Sequence, residues 1–245
     1  TFLDAAEKCV QSQICIPDAD AMTGHITYIK SRVTAMRGNL LRAIELNLAA
    51  REFLPVSNLA LQLDLGITLG YLYFLNGDYS HASQFLNETV RSGRAVGAIL
   101  NTVAGYCIQA RLCANQGQLN QSRELYHQAA QLVQETGEQH LGASSLIEIG
   151  FADVLCERND LEAAMDHAKK GLALLPLWGK ADDFALAYVT LARIHLAQAN
   201  TNDAMEVIQK ATQILQTRGA FSEARKAVEV RRVVGRRGVA LRAPH

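Results

Sequence analysis

Proline and tryptophan are scarce in this chain. Only four prolines and one tryptophan occur in 245 residues. With 49% hydrophobic residues, that scarcity excludes a Pro-rich linker or a disordered tail and leaves ordered, globular material. Formal net charge is zero, which excludes a whole-chain polyanion binder. No apolar run approaches the roughly eighteen residues that a membrane-spanning helix needs. The opening, TFLDAAEKCV, has neither the basic start nor the apolar core of a signal peptide. A cytoplasmic fragment of something longer is the expectation.

Chemistry-bearing motifs are also missing. Five cysteines stand at 9, 15, 107, 113 and 156, an odd count without any CxxC pair, so free thiols are expected rather than a disulfide framework. The seven histidines form no HExxH and no zinc-finger spacing with a cysteine. GRAVGAIL and GRRGVALR lack the Lys and hydroxyl of a phosphate loop, and no Gly-x-Ser-x-Gly elbow occurs. The acidic pair Asp182–Asp183 reads as a helix N-terminus complementing the macrodipole. No catalytic, cofactor-binding or metal-binding residue is expected.

What the chain does contain is a repeat. RGNLLRAIEL, NGDYSHASQF, QGQLNQSREL, RNDLEAAMDH and QANTNDAMEV align, with second residues Gly38, Gly77, Gly117, Asn159 and Ala199 spaced by 39, 40, 42 and 40. Seven residues before each stand Ser31, Gly70, Ala110, Ala152 and Ala192. Five after come Ala43, Ala82, Ser122, Ala164 and Ala204, and seven further on Ala50, Thr89, Ala129, Gly171 and Ala211. None of the fifteen is larger than Thr. Two antiparallel helices on a short turn approach most closely where side chains are smallest. These positions, Gly70, Ala82, Ala110, Ser122, Ala152, Ala164, Ala192 and Ala204 among them, are therefore expected to be the packing contacts. Gly and Asn at the turn suit a left-handed C-terminal cap. Asn39, Asp78, Asp160 and Asn200 suit the next helix's N-cap, whereas Gln118 does so poorly.

Apolar spacing predicts helices over 23–37, 40–53, 58–75, 79–92, 96–115, 119–136, 139–157, 161–175, 181–198, 202–217 and 221–234. Residues 2–14, closed by Pro17, read as the last helix of a preceding repeat. The fold class expected is all-α: a tetratricopeptide-like α-solenoid of stacked antiparallel helix pairs, a right-handed superhelix with a period near 40. The expected division is 1–217 for about five repeats plus a partial N-terminal one, and 218–245 for a basic C-terminal helix and tail. From Arg218 onward, eight Lys/Arg face two acids, a net charge of +6, so the remainder carries −6.

The order of small residue, turn and small residue resembles the tetratricopeptide repeat, with Tyr73, Tyr79, Pro55 and Pro176 in supporting positions. The longer period, with ERNDLEAAMDHAKKGLALLPLWGKADDFALAYVTLARI (Glu157 to Ile194), resembles the helical-repeat sensor region of MalT-like, ATP-dependent LuxR-family transcriptional regulators. That resemblance implies the non-catalytic middle part of such a regulator. ATP would then bind only in a missing N-terminal module, and DNA only through a missing C-terminal helix-turn-helix. Implied partners are a small-molecule inducer or regulatory protein, other domains of the same polypeptide, and a second copy through self-association, with no membrane. A generic scaffold or co-chaperone module binding a peptide is the alternative. Such grooves use cations to clamp a carboxylate, and the first helices supply only Lys30, Arg32, Arg111 and Arg193.

Binding residues are less sharply marked. Tyr71, Tyr106 and Tyr188 lie on first helices, Trp178 follows Pro176, and His195 takes the repeat slot of Tyr73, Cys113 and Leu155. Each reads either as a packing residue or as a ligand or partner contact on the inner surface, and packing is the plainer reading.

Overall fold

Among the described residues, five of those with positive φ mark every second helix-to-helix turn at a regular spacing: Gly38 (84°), Gly77 (83°), Gly117 (77°), Asn159 (62°) and Ala199 (63°). After each, the next amide reaches back to a carbonyl five residues earlier. Asn39 N donates to Thr34 O at 3.2 Å, Asp78 to Tyr73 at 3.0 Å, and Gln118 to Cys113 at 2.9 Å. Asp160 donates to Leu155 at 3.0 Å and Asn200 to His195 at 2.8 Å. A left-handed residue followed by this backward bond satisfies the carbonyls that a helix end leaves open and turns the chain on itself.

The computed structural model describes residues 19–55, 57–136, 141–175 and 181–218, with the side chains at 141–142, 181–182 and 214–218 outside that description. Ten helices lie within the described residues: α1 Ala19–Met36, α2 Leu40–Phe53, α3 Leu59–Asn76, α4 Tyr79–Val96, α5 Ile99–Asn115, α6 Leu119–Glu135, α7 Leu141–Glu157, α8 Leu161–Leu174, α9 Ala181–Ala197 and α10 Thr201–Arg218. Each left-handed residue joins the two members of one pair. The helices expected over 2–14 and 221–234 lie outside the described residues, as do Trp178 and the basic tail.

At two places the helix boundaries differ from the sequence expectation by more than two residues. Helix α1 starts at Ala19 rather than 23. Helix α4 runs four residues past the expected 92, to Val96, and α5 starts at Ile99 rather than 96. Gly97 (φ 71°) supplies the stop, with Ala98 N bonded to Gly93 O at 2.8 Å. Gly93 is kept inside α4 because its missing Cβ leaves room for Thr102 Oγ1 of α5, which would otherwise stand 2.5 Å away. Among the N-caps, Asn39, Asn58 and Asp78 accept from Arg42, Leu61 and His81 amides, and Gln118 accepts from none. Asp160 corrects the expectation: its backbone matches (φ −88°, ψ 72°), yet its side chain makes no capping bond.

All fifteen small positions are buried. The contacts are close enough for backbone to meet side chain directly. A Cβ on Gly70 would lie 2.5 Å from Leu86 Cγ across the α3–α4 pair. Ser31 Oγ of α1 donates to Ala43 O of α2 at 2.7 Å. Second helices such as α4 and α6 carry one apolar face, whereas first helices such as α3 and α7 are apolar around most of their circumference. A helix buried by neighbours on several sides requires that pattern.

The chain divides into two compact units, residues 1–108 and 109–245. In the first, α3 stacks on the α1–α2 pair: Tyr28, Ala50, Leu54 and Leu65 form one core, and Ala43, Ile44, Leu69 and Leu72 another. In the second, Ile194 of α9 packs onto Ala152, Ala164 and Ala168 of the preceding pair. Nearby, Ala187 of α9 joins Ile149 and Leu175. The architecture is therefore all-α, built of antiparallel helix pairs stacked one on the next, with no strand among the described residues.

Candidate interaction surface

Because second helices carry the outer polar residues, recognition chemistry has to be sought where first helices meet first helices. One slot recurs six residues before each left-handed turn: Arg32, Tyr71, Arg111, Asp153 and Arg193. Its members vary in chemistry while the small slot beside them does not. That contrast marks a face free of the packing constraint.

In the second unit this slot builds a charged cluster. Arg193 Nη1 of α9 donates to Asp153 Oδ1 of α7, and its Nη2 donates to Glu157 Oε1 one turn on. One guanidinium thus holds two carboxylates, leaving a net charge of −1 on a partly exposed patch. Cys156 stands beside it, and burial pushes its thiol up, a shift that the nearby Arg193 opposes. Among the described residues no three His, Cys, Asp or Glu gather to hold a metal ion.

The first unit has a counterpart between α1 and α3. Tyr28 Oη donates to Asp64 Oδ2 at 2.5 Å and lies 3.1 Å from Thr68 Oγ1. Arg32 sits over the Tyr28 ring, 5.9 Å from its centre. Burial, reinforced by the Asp64 carboxylate, raises the Tyr28 phenol to about 12. Both clusters pin neighbouring first helices together at their polar edge.

The residues singled out from the sequence fall in different settings. Tyr71 is half-buried and stacks near Phe74, with ring centres 6.3 Å apart. Tyr106 is buried, and its hydroxyl accepts from Arg94 Nη1 at 3.0 Å. Tyr188 is half-buried against the Ala192, Val207 and Ile208 core. His195 has a buried Nδ1 without a hydrogen bond, its nearest carboxylate being Asp203 at 3.9 Å. Trp178 lies outside the described residues. Tyr71 and Tyr106 belong to the first unit, Tyr188 and His195 to the second. Sequence reasoning missed the Asp153–Arg193–Glu157 cluster, although the repeat alignment itself carries the signal: Asp153 and Arg193 occupy one slot, 40 residues apart.

None of the described helices is long and apolar enough to cross a membrane. No curated protein matches this chain in sequence. Solved structures do match in fold. The apo form of RapI superposes with a TM-score of 0.57 at 15% identity, covering 79% of this chain and 70% of that one. BtubC from P. vanneervenii gives 0.58 at 13%, over 88% and 87%. A signal-transduction ATPase with numerous domains and a tetratricopeptide repeat sensor, from Pyrococcus horikoshii, gives 0.56 at 13% identity. That match covers 84% of this chain but only 32% of the larger protein. At such identities the likeness concerns fold alone, and the fold is a tetratricopeptide-like α-solenoid. The family described as the MalT-like TPR region matches residues 24–242, nearly the whole sequence. This chain belongs to that family, the MalT-like TPR region.

Proposed function

We propose that this chain is the ligand-sensing and protein-interaction region of an ATP-dependent LuxR-type transcriptional regulator, acting in the cytoplasm and doing no chemistry of its own. The family match over residues 24–242 carries this reading. Within each unit, stacked pairs bury apolar surface against their neighbours and leave a face of first helices open to a partner. An inducer or regulatory protein that prefers one arrangement of repeats shifts the population toward the self-associating, DNA-binding form of the whole regulator. Nucleotide and operator are then bound by other modules of the same polypeptide. A peptide-clamping scaffold is the weaker reading, because Arg193 is already engaged by two carboxylates.

Thermal-shift screening with small sugars, hydrocarbons, nucleotides and peptide tails tests the proposal. A ligand that binds the folded chain at a hundred times its dissociation constant adds about 2.7 kcal/mol of stability. Stabilisation by a small molecule supports the inducer reading. Stabilisation by carboxylate-ended peptides alone overturns it in favour of the scaffold.

A further inference from the structure

Each second helix turns one strip to solvent, and in α2 the chemistry of that strip differs. Three residues after each left-handed turn residue stand Leu41, Ser80, Asn120, Glu162 and Asn202, and seven further on Leu48, Asn87, His127, Lys169 and Gln209. All ten are exposed. In α4, α6, α8 and α10 both slots are polar, whereas in α2 both hold leucine, 64% and 38% exposed. Stacking of the pairs therefore requires nothing apolar in these slots. Leu41 and Leu48 lie two turns apart on one side of α2, about 10 Å from each other along the helix. Clustered apolar side chains that the fold itself leaves in water mark contact with another molecule.

The charges around this strip decide which molecule fits. Arg42 is paired with Glu45 at 2.8 Å and Arg51 with Glu88 at 2.9 Å, so the centre of the strip carries no net charge. A strongly basic or acidic partner finds no complement there. At the two ends, Arg37, exposed in the turn before α2, and Glu52, exposed in its last turn, make no ion pair with a described residue. They are opposite in sign. The midpoint of positions 41 and 48 falls between Ile44 and Glu45, and the midpoint of 37 and 52 falls at the same place. A two-fold axis through that point sets each leucine against the other leucine, and each end charge against its opposite, twice over.

We propose that α2 is a self-complementary contact by which two copies of this chain associate, their α2 helices running antiparallel across the Leu41–Leu48 strips. Leu41 meets the partner's Leu48, and Arg37 meets the partner's Glu52. Glu45, next to the axis, brings its own Arg42, so the two like carboxylates do not meet unshielded. One helix against one helix is a smaller contact than the roughly 1,600 Å² of a standard stable interface, so the dimer forms reversibly and at high concentration. The contact lies wholly within the first unit and requires neither nucleotide nor inducer, so it stands apart from the regulator reading.

Sedimentation velocity of the 245-residue chain at low salt, from micromolar to millimolar concentration, tests this. The fraction of dimer should rise with concentration. Leu41→Asn with Leu48→Lys installs the residue types of Asn120 and Lys169, which the fold accepts in the same slots, and an unchanged melting temperature verifies that the variant is folded. Its dimerisation should be weaker by about tenfold or more, the buried leucine contacts being lost. Arg37→Glu should weaken dimerisation about fivefold, because each charge pair occurs twice. Adding Glu52→Arg should restore the parent affinity, which no structural role of either residue within one copy would do. A chain that stays monomeric to millimolar concentration, a dimer indifferent to the leucine substitutions, or a charge exchange that fails to restore affinity would each overturn the proposal.

Discussion

Replacing Gly171 by Ala sets two opposing effects against each other in one methyl group. Inside a helix, Ala is favoured over Gly by about 0.8–1.0 kcal/mol. Propensity therefore predicts a more stable protein. The tertiary contact predicts the reverse. A Cβ at 171 would stand 2.7 Å from Ile149 Cγ1 and 3.2 Å from both Ile149 N and Ser145 O. Ile149 is 1% exposed and fixed between Leu175 and Ala187, so its side chain has nowhere to swing. The two remaining walls are backbone, and only separation of α7 from α8 relieves them. Overpacking of this kind costs about 1–3 kcal/mol, and with immovable walls the upper half of that range applies. The net expectation is a loss of about 1–2 kcal/mol, read as a lower urea midpoint at unchanged slope. Gly77→Ala serves as the contrast: nothing lies within 4 Å of its Cβ, yet φ is +83°, so its loss comes from backbone strain of about 1–2 kcal/mol. Adding Ile149→Ala removes the contact at 2.7 Å and should relieve the larger part of the Gly171→Ala defect, leaving only the two backbone contacts at 3.2 Å. A Gly171→Ala variant at least as stable as the parent chain would refute the close approach of these helices.

Ala199 is held at φ 63°, so Ala199→Gly should raise stability by about 1 kcal/mol in the same urea assay. Ala164 and Ala204 have no exposed surface and occupy one repeat slot. Ala164→Leu and Ala204→Leu should each lose about 1–3 kcal/mol, and wild-type melting of both would disprove the register. Asn47 is fully buried with both amide atoms unpartnered, in a slot that Leu86 and Ile208 fill elsewhere. Asn47→Leu should therefore stabilise by about 1–3 kcal/mol, and a loss instead would reveal an ordered partner for the amide. The Tyr28 phenol is raised from 10 to about 12, so the folded state holds its proton more tightly than the unfolded chain. Its stabilisation is complete below pH 10 and fades as pH climbs toward 12; Tyr28→Phe should flatten that alkaline decline in a denaturant series.

The sequence determined by itself where the chain turns and which positions must stay small. A left-handed turn residue and a buried small residue are local requirements, and each leaves one recognisable residue type at one spacing. Gly38, Gly77, Gly117 and Asn159 could be read that way because few residues tolerate positive φ. Ala199 was legible only through the period, since nothing in an alanine announces that conformation. The true end of α4 was obscured for a similar reason: Gly93 and Gly97 are one turn apart, and only the Thr102 contact decides that the first lies inside the helix and the second ends it.

Tertiary structure alone decided the polar contacts between pairs. Asp153 and Glu157 could as readily have been solvated acids, and Arg193 a free cation for a ligand, until stacking brought α9 against α7. Tyr106 reads the same as Tyr188 in the repeat, yet Arg94 from a different helix claims its hydroxyl. A repeat period records what every pair must share. Which charges and rings meet across a junction depends on two segments, 12 residues apart for Arg94 and Tyr106 and 40 for Asp153 and Arg193, and neither segment contains that information alone.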